Sequence, residues 1–340
     1  MISEKIEVIR REYGSRLLIL GHHYQRQAVL AHADARGDSL ELARLAATRR
    51  EAEKIVFCGV HFMAESADIL SLPQQTVYMP DNSAGCPMAD MATADAMQEA
   101  WRVLNEGGDD WLPVVYVNSS ARIKAHCGRL GGATCTSSNA AAVFKWVFNS
   151  GKRVFFLPDE HLGVNTAQDL GIAGKDILIY DPLLAGGGLS SADLARARVV
   201  VWKGFCIVHQ AFSVELVEAV RKKFPGCKVI VHPESPHAVV QASDAHGSTA
   251  QIIRYVENAR EGETVVVGTE HHLVERLAQE HAGRVKVLAL RSSVCANMAR
   301  TNEANLLRVL EDFPAGAEVH VEPEIAADAR LALERMLELV

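Results

Sequence analysis

The stretch Val199–Cys206 reads Val-Val-Val-Trp-Lys-Gly-Phe-Cys and indicates the fold class. Its four apolar residues predict a buried β-strand, and the cysteine follows in the loop just beyond the strand's carboxyl end. In open α/β sheets, ligands bind in such loops. Two other cysteines follow a short apolar run in the same way: Cys86 after Val77–Met79, and Cys295 after Val285–Leu288. We therefore predict that three similar units each deliver one thiol to a common site.

The length of 340 residues is too great for one ordinary core and predicts two or three domains. The net charge of −7 argues against a nucleic-acid partner. No apolar run approaches the roughly 18 residues of a membrane span, and the charged start Met1–Lys5 lacks the apolar core of a signal peptide. We expect a cytoplasmic protein, in which the seven cysteines stay reduced and point to metal binding or catalysis rather than disulfides.

Short Val/Ile/Leu runs alternate with amphipathic stretches along the chain, which predicts an α/β protein whose parallel sheets are covered by helices on both faces. The predicted strands are Leu17–Leu20, Ile55–Cys58, Val77–Met79, Val114–Val117, Arg153–Leu157, Ile177–Tyr180, Val199–Trp202, Lys228–Val231, Thr264–Val267 and Val285–Leu290. The predicted helices include Asp38–Ala52, Ser138–Phe148, Val214–Phe224, Ser248–Ala259 and Asn302–Phe313.

A polar strand end, a hydroxyl at a helix start, an acidic strand end and a cysteine recur three times in this order. The three series are His22, Ser39, Glu65 and Cys86; Asn118, Ser137, Asp159 and Cys206; and Glu234, Thr249, Glu270 and Cys295. We infer three homologous units of roughly 90 to 120 residues. Their predicted bounds are 1–95, 96–208 and 209–321, and the C-terminal segment 322–340 is predicted to form a helix that packs back on the first unit.

The three hydroxyls Ser39, Ser137 and Thr249 stand where a helix begins. Taken singly, each is explained by helix capping. A helix N-terminus also presents free N–H groups and a positive dipole end, which suit a carboxylate or a phosphate. Because the feature recurs three times, we favour a site for a substrate with several negative charges.

Polar side chains end the predicted strands near the expected centre. They are His22, Tyr24, Tyr116, Asn118, His232 and Glu234. A single buried histidine or tyrosine is more often a core residue than a catalyst, but the shared position favours a functional role. His232 and Glu234 flank a proline, which stiffens the backbone, and the pair suits general acid–base catalysis. A tyrosine hydroxyl can relay or donate a proton.

The remaining cysteines, Cys58, Cys127, Cys135 and Cys227, are interpreted as small buried apolar residues. Cys127 and Cys135 resemble half of a zinc site, but no second pair completes a tetrahedral ligand set. The separate triplet offers soft thiolate ligands, which fit an iron–sulfur cluster or zinc. Iron–sulfur clusters are usually held by four cysteines, so a three-cysteine site would leave one iron open to act as a Lewis acid.

A series of motifs runs along nearly the whole chain. The motifs are Gly21–Gln25, Gly37–Leu40, Phe62–Glu65, Ala84–Asp90, Tyr116–Ala121, Cys135–Ala140, Gly204–His209, His232–Glu234, Gly247–Thr249, Gly268–Glu270 and Cys295–Met298. In type and order they resemble those of the quinolinate synthase family, enzymes of NAD biosynthesis. The resemblance implies three similar three-layer αβα domains with parallel sheets, arranged around a pseudo-threefold axis.

The resemblance also implies a 4Fe-4S cluster held by Cys86, Cys206 and Cys295. The implied reaction is that of a transferase: iminosuccinate condenses with dihydroxyacetone phosphate to give quinolinate, phosphate and water, and the open iron assists dehydration. A functional link to L-aspartate oxidase is implied as well. The implied substrate contacts are His22, Ser39, Tyr116, Val117, Asn118, Ser137, His232, Pro233, Glu234 and Thr249. The implied catalytic residues are Tyr24, Tyr116, His232 and Glu234.

Two departures from the family pattern stand out. Ser235 follows His-Pro-Glu where many relatives have cysteine, and the stretch His126–Ala133 is predicted to lengthen a loop or strand connection. Three other functions stay open from the residues alone: a cluster-dependent dehydratase acting on a hydroxy acid, an iron–sulfur sensor or electron carrier, and a structural zinc protein.

Overall fold

Three β-sheets organise the chain in the computed structural model, which describes residues 1–106, 108 and 110–339. The strands are β1 Leu17–His22, β2 Ala35–Gly37, β3 Lys54–Cys58, β4 Thr76–Tyr78, β5 Trp111–Tyr116, β6 Ala133–Cys135, β7 Arg153–Leu157, β8 Ile177–Tyr180, β9 Val199–Trp202, β10 Lys228–Val231, β11 Ala245–His246, β12 Thr264–Gly268, β13 Lys286–Ala289 and β14 Glu318–Val319.

Helices connect and cover these strands. They are α1 Ile2–Tyr13, α2 Gln27–Leu30, α3 Ser39–Thr48, α4 His61–Leu70, α5 Pro87–Asp90, α6 Ala94–Leu104, α7 Ala121–Arg129, α8 Ala140–Asn149, α9 Glu160–Asp169, α10 Ser191–Arg196, α11 Val214–Lys223, α12 His237–Ala242, α13 Thr249–Glu257, α14 His271–Glu280, α15 Glu303–Asp312 and α16 Pro323–Glu338. Within the described part of the chain, no helix is both long and apolar enough to cross a membrane.

A series of four strands in equivalent order occurs in all three sheets. The sheets run β14-β4-β3-β1-β2, β6-β5-β7-β9-β8 and β11-β10-β12-β13. Each therefore contains one series in equivalent order: β2-β1-β3-β4, β6-β5-β7-β9 and β11-β10-β12-β13. In each series the last strand (β4, β9 or β13) is the one that precedes a cysteine of the predicted triplet. The prediction of an α/β fold with three similar αβα units is confirmed.

Parallel pairing explains why the strands are apolar on both faces. β1 pairs in parallel with β2 and β3, β5 with β6 and β7, and β12 with β13, while β14 joins β4 antiparallel at the edge of the first sheet. All four residues of β9 are buried, as expected for a parallel strand with helices on both sides. Connections between parallel strands run through helices, which places the loops after the strands at one edge of each sheet.

The ten predicted strands and five predicted helices are present; four of the strands have the predicted bounds, and the ends of the other elements shift by at most four residues. The strands that the sequence did not reveal, β2, β6, β11 and β14, contain only two or three residues and have no period to recognise. The interpretation of Glu65 as an acidic strand end is wrong. β3 ends at Cys58, and Glu65 lies within α4.

By internal packing the chain divides into two compact units. Unit 1 comprises Met1–Cys86, Glu215–Ile230 and Thr249–Glu322, and unit 2 comprises Pro87–Val214, Val231–Ser248 and Pro323–Val340. Three sheets are thus distributed over two packing units. The predicted domain bounds 1–95, 96–208 and 209–321 follow the repeat instead, and they stay a prediction.

The C-terminal helix corrects one expectation. α16 packs on α7 and β6, elements of the predicted second unit, and not on the first. Small residues explain this contact: a Cβ on Gly128 would lie 1.9 Å from the carbonyl oxygen of Asp328, so only glycine lets α7 approach α16 so closely. The Thr134 hydroxyl donates to the carbonyl of Ala332 at 3.1 Å. Of the predicted segment 322–340, Val340 lies outside the described residues.

The stretch His126–Ala133 lies in the connection between β5 and β6, but it does not form a long loop. α7 continues to Arg129, and β6 begins at Ala133. A tight turn joins them, in which the backbone N–H of Gly132 donates to the carbonyl of Cys127 at 2.9 Å. Gly131 adopts a φ of 77°, which favours glycine at the end of a helix. That the stretch lengthens the connection stays a prediction.

Candidate active site

A buried network of hydrogen bonds lies at the strand ends of unit 2. Tyr116 is the last residue of β5, and Glu234 lies in the turn that follows β10. The Tyr116 hydroxyl donates to Oε1 of Glu234 at 2.5 Å, and Nδ1 of His209 lies 2.7 Å from Oε2. The three side chains are at most 5% exposed. The carboxylate is thus held by a phenol and an imidazole.

His232 adds a second imidazole to this network. Its ring stacks on that of His209 at a centroid distance of 4.4 Å and an angle of 20°. Nδ1 of His232 accepts the backbone N–H of Glu234 at 3.3 Å, so the proton of a neutral ring is on Nε2. Burial lowers the pKa of His232 to about 3, against the opposing effect of the Glu234 charge. His232 is therefore neutral at physiological pH.

Two buried carboxyl groups in unit 2 have pKa values that are shifted in opposite directions. Burial alone would raise the pKa of Glu234, but His232 and His209, together with the hydrogen bonds from His209 and Tyr116, hold it well below its usual range. Burial and the charge of Glu234 raise the pKa of Asp159 well above its usual range, although backbone N–H groups partly oppose this. At neutral pH Glu234 is ionised, whereas Asp159 holds a proton more readily than an ordinary aspartate does. Carboxyl groups pushed apart in this way are typical of functional sites.

Cys206 lies beside the network. One ligand atom each of Cys206, His209 and Glu234 lie within 4.8 Å of one another, so the three residues are placed to hold a metal ion. The contact between His209 and Glu234 has the length of a hydrogen bond, so these two groups satisfy each other. The Cys206 thiol is the member of this set that suits iron best.

Asn165 holds the turn that carries Glu234. It lies on α9 and is 1% exposed. Its amide donates to the carbonyls of Pro233 at 2.8 Å and Ser235 at 3.0 Å, and its oxygen lies 2.7 Å from Nδ1 of His237. The Pro233 carbonyl thus accepts a hydrogen bond from Asn165 within the protein, whereas the sequence predicted Pro233 as a substrate contact.

The predicted contacts Val117 and Asn118 follow β5. Val117 is 1% exposed, and its backbone N–H donates to the carbonyl of Cys135 at 2.8 Å. Asn118 is half-buried, and its Oδ1 is buried without a hydrogen-bond partner among the described residues. A buried polar atom without a partner costs free energy, so it is explained when a ligand supplies one. Asn118 therefore fits a ligand contact better than Val117 does.

In unit 1 the structure brings together three of the predicted residues. The Tyr24 hydroxyl lies 2.9 Å from Oγ1 of Thr269, and the Thr249 hydroxyl donates to it at 3.2 Å. The Tyr24 backbone N–H donates to Nδ1 of His22 at 3.1 Å, and the two rings meet edge to face at 4.7 Å. This group orients a tyrosine hydroxyl with two threonine hydroxyls beside it.

None of the three helix-start hydroxyls belongs to an N-cap residue, and Thr249 is the first residue of α13. The cap of α3 is Asp38, whose Oδ1 accepts the N–H groups of Leu40 and Glu41, and Ser39 is the first residue of the helix. Ser137 lies in the turn before Asn139, the residue at the N-cap of α8. Capping therefore does not explain these two serines. Their role in anion binding stays a prediction.

The cysteines fall into two classes. Cys86, Cys206 and Cys295 are half-buried in loops, whereas Cys58, Cys127, Cys135 and Cys227 are buried. Burial raises the pKa of the Cys58 and Cys127 thiols to about 12 and that of Cys135 well above its usual range. The buried thiols are therefore unsuited to ligate metal as thiolates. The three loop cysteines are the donor set that fits an iron–sulfur cluster, and their convergence on one cluster stays a prediction.

Two residues of this site escaped sequence reasoning. His209 stands three positions after Cys206, and Thr269 immediately precedes Glu270. Both lie in the motifs Gly204–His209 and Gly268–Glu270, so a polar residue near a triplet cysteine or beside a recurring acidic residue was the available signal. Their role depends on partners far away in the chain, Glu234 and Tyr24, which sequence spacing does not reveal.

Comparison with known proteins identifies the family. A family model described as quinolinate synthetase A protein matches residues 4–338. The chain belongs to the quinolinate synthetase A family. The quinolinate synthase of Streptomyces coelicolor is 48% identical over 97% of this chain and 86% of its own length. Those of Corynebacterium glutamicum and Geobacillus thermodenitrificans are 45% and 46% identical, over 100% and 99% of this chain and 88% and 93% of their own lengths.

Membership in this family confirms the predicted resemblance and the prediction of an enzyme. The motifs that carried the resemblance contain the residues of both hydrogen-bonded groups. A reductase structure, the E-1-hydroxy-2-methyl-but-2-enyl-4-diphosphate reductase from Plasmodium falciparum, aligns with 94% of this chain and 86% of its own, with a TM-score of 0.27 and 10% identity. A likeness of this degree carries no argument about the fold or function of the quinolinate synthetase A family member described here.

Proposed function

We propose that this chain is a quinolinate synthase, a transferase that condenses iminosuccinate with dihydroxyacetone phosphate and releases quinolinate, phosphate and water. Named relatives at 45% to 48% identity support the activity. One structural observation carries the proposal: the Cys206 sulfur lies within 4.8 Å of the buried network formed by His209 and Glu234. A soft metal ligand thus adjoins acid–base groups. The predicted cytoplasmic location and the link to L-aspartate oxidase stay predictions.

Cys86, Cys206 and Cys295 would hold the cluster. Their half-buried thiols in loops after strand ends fit it, whereas the other cysteines are buried. A bound 4Fe-4S cluster with one iron lacking a protein ligand supplies a Lewis acid for the dehydration. The other groups of the site act on substrate by binding, orientation and proton transfer.

Glu234 acts mainly by orientation. Its low pKa makes it a weak base, so it keeps the Tyr116 hydroxyl and the His209 Nδ1–H directed at its own oxygens. Protons lost by substrate pass through these donors and reside on the carboxylate only transiently. Neutral His232 keeps a proton on Nε2, with which it can donate to a substrate oxygen. The unpartnered Oδ1 of Asn118 offers an acceptor for a substrate N–H or O–H.

Tyr24 is the proposed aid to isomerisation of the triose phosphate and to ring closure. Its hydroxyl lies between those of Thr249 and Thr269, so a proton can pass along a chain of three hydroxyls. His22, Ser39 and Ser137 are the proposed partners of the substrate carboxylates, in line with the anion preference of helix starts.

Anaerobic reconstitution tests the proposal. Wild-type protein should take up about four irons per chain and form quinolinate from the two substrates. Glu234→Gln should lower turnover at least ~100-fold, because Tyr116 and His209 lose the carboxylate that orients them for proton transfer, while the visible absorbance of the cluster should be unchanged. The control Glu334→Gln, on the surface of α16, should change neither.

Three results would contradict the proposal in different ways. A loaded cluster without quinolinate formation refutes the activity. Turnover of hydroxy acids in a substrate panel that lacks the amine indicates a dehydratase. Zinc in place of iron indicates a structural metal site built on Cys206, His209 and Glu234.

A further inference from the structure

The three loops that carry the triplet cysteines are held by the same backbone hydrogen bond. In each case the first N–H of a helix donates to the carbonyl two positions before the cysteine. The three bonds are His61 to Ala84 at 2.8 Å, Glu160 to Gly204 at 2.8 Å and His271 to Ser293 at 2.9 Å. The helices are α4, α9 and α14. The repeat therefore extends to the way each cysteine loop is attached.

The residue before each of these helices differs among the three repeats. The N-cap position holds Val60 for α4, Asp159 for α9 and Glu270 for α14. Both acidic side chains are 0% exposed, although burial of a carboxyl group is costly unless it is well bonded. Asp159 and Glu270 recur at equivalent places in the repeat, and the proposed reaction does not use them.

Glu270 links its helix to the cysteine loop. Its Oε2 accepts the backbone N–H of His272 at 2.7 Å and lies 3.4 Å from that of Leu273, which caps α14. Its Oε1 accepts the backbone N–H of Cys295 at 3.2 Å and lies 3.0 Å from Nδ1 of His272. One carboxyl group thus joins the start of a helix to the backbone of a predicted metal ligand.

Asp159 occupies the equivalent place in unit 2. Its Oδ1 accepts the N–H of Leu162 at 2.6 Å, and the backbone N–H of Cys206 faces the carboxyl group. Its Oδ2 is buried without a hydrogen-bond partner among the described residues. Gly204 lets the cysteine loop pack closely against the residue before Asp159, because a Cβ on Gly204 would lie 2.3 Å from the Pro158 carbonyl oxygen.

We propose that Glu270 is a positioning residue that holds the backbone amide of Cys295 and so fixes the direction of its thiol. The inference rests on the proposed role of this thiol as a cluster ligand. Val60 offers no acceptor, so the Cys86 loop depends on other contacts. Fixing a ligand before the cluster binds lowers the entropy cost of binding.

Two substitutions of Glu270 separate capping from positioning. Glu270→Asp keeps a good N-cap for α14, but the side chain is one methylene shorter and no longer reaches the Cys295 amide. Glu270→Gln keeps the length but replaces one acceptor oxygen with an N–H₂ donor that faces other donors. Ser190→Ala is the matched control, because it removes the side-chain cap of α10.

The measurements are made on cluster-free protein under anaerobic conditions. Hydrogen exchange of the Cys295 amide should accelerate about tenfold or more in both Glu270 variants, the factor expected for a lost charge-assisted hydrogen bond. The rate of iodoacetamide labelling, mapped by mass spectrometry, should differ from that of wild type at Cys295 and equal it at Cys86. Cys58, buried in the same unit, should stay unlabelled. Ser190→Ala should leave all three thiols as in wild type.

Unchanged amide exchange and labelling of Cys295 in Glu270→Asp would overturn the inference. Equal acceleration at Cys86 and Cys58 would also overturn it, because it would indicate general loosening of unit 1. After reconstitution, Glu270→Asp should lose iron to a chelator faster than Ser190→Ala does. If wild-type protein binds no cluster, the proposed function fails, yet the exchange measurement still decides whether Glu270 holds the Cys295 amide.

Discussion

Replacing Asn165 with alanine should destabilise unit 2 by an amount that the structure allows one to estimate. The side chain is 1% exposed and bonds two backbone carbonyls, those of Pro233 and Ser235. Alanine leaves both buried acceptors without a partner. Each such acceptor costs about 1 to 3 kcal/mol. We therefore expect the free energy of unfolding to fall by about 3 kcal/mol or more.

Asn105→Ala provides the matched control. Asn105 is half-buried, and its amide donates to a single carbonyl, that of Trp101, at 3.0 Å. That carbonyl lies near the end of α6, where water can replace the lost donor. The expected cost is about 1 kcal/mol or less. The comparison isolates the effect of a buried two-carbonyl contact from the general effect of removing an asparagine side chain.

Tryptophan fluorescence during urea unfolding measures the free energy of unfolding of unit 2, the unit that contains Asn165. The four tryptophans, Trp101, Trp111, Trp146 and Trp202, all belong to unit 2, which also contains Asn165. The emission change therefore reports unfolding of that unit. Equal losses for Asn165→Ala and Asn105→Ala, within about 0.5 kcal/mol, would refute the reasoning that Asn165 holds the turn carrying Glu234.

Two further predictions concern packing and pH. In Gly128→Val the new Cβ would clash with the Asp328 carbonyl, so α7 and α16 must move apart. We expect the free energy of unfolding to fall by about 2 kcal/mol or more in the same fluorescence assay. An unchanged urea midpoint of unfolding would contradict this close contact. Burial, together with Arg276, lowers the pKa of His23 from 6.5 to about 4. Because unfolded His23 binds a proton in this window and folded His23 does not, the free energy of unfolding should fall as pH falls from 6.5 to about 4, by at most about 1.4 kcal/mol per pH unit. His23→Asn should flatten this slope, and parallel slopes for variant and wild type would refute the assignment.

Local pattern was sufficient for much of the fold. Val199–Trp202 and Arg153–Leu157 were predicted with their observed bounds, because an apolar run between turn signals identifies a buried strand. The loop cysteines were separated correctly from the buried ones, since their positions after strands follow from the same pattern. Glu65 was misplaced because its helix begins only a few residues after β3, and a one-dimensional alignment of weak repeats does not resolve that boundary.

Contacts between distant segments were beyond reach of the sequence. α16 has an amphipathic pattern that any apolar surface would satisfy, and its place on α7 depends on the absence of a side chain at Gly128. The role of His209 depends on its contact with Glu234, which lies 25 positions away in the chain. Spacing along the chain carries no information on such pairs, because the strands that bring them together can be joined by connections of many lengths.

By itself, the sequence determined the longer strands, several helices, the threefold recurrence and the residue types of the site, because these follow from short-range periodicity and from chemistry carried by single residues. Tertiary structure alone decided which groups share a hydrogen bond, which carboxyl group has a raised pKa and which acid contacts the backbone of a cysteine loop. The physical reason is that pKa values and hydrogen bonds depend on burial and on the neighbours in space, and both arise only when distant segments pack together.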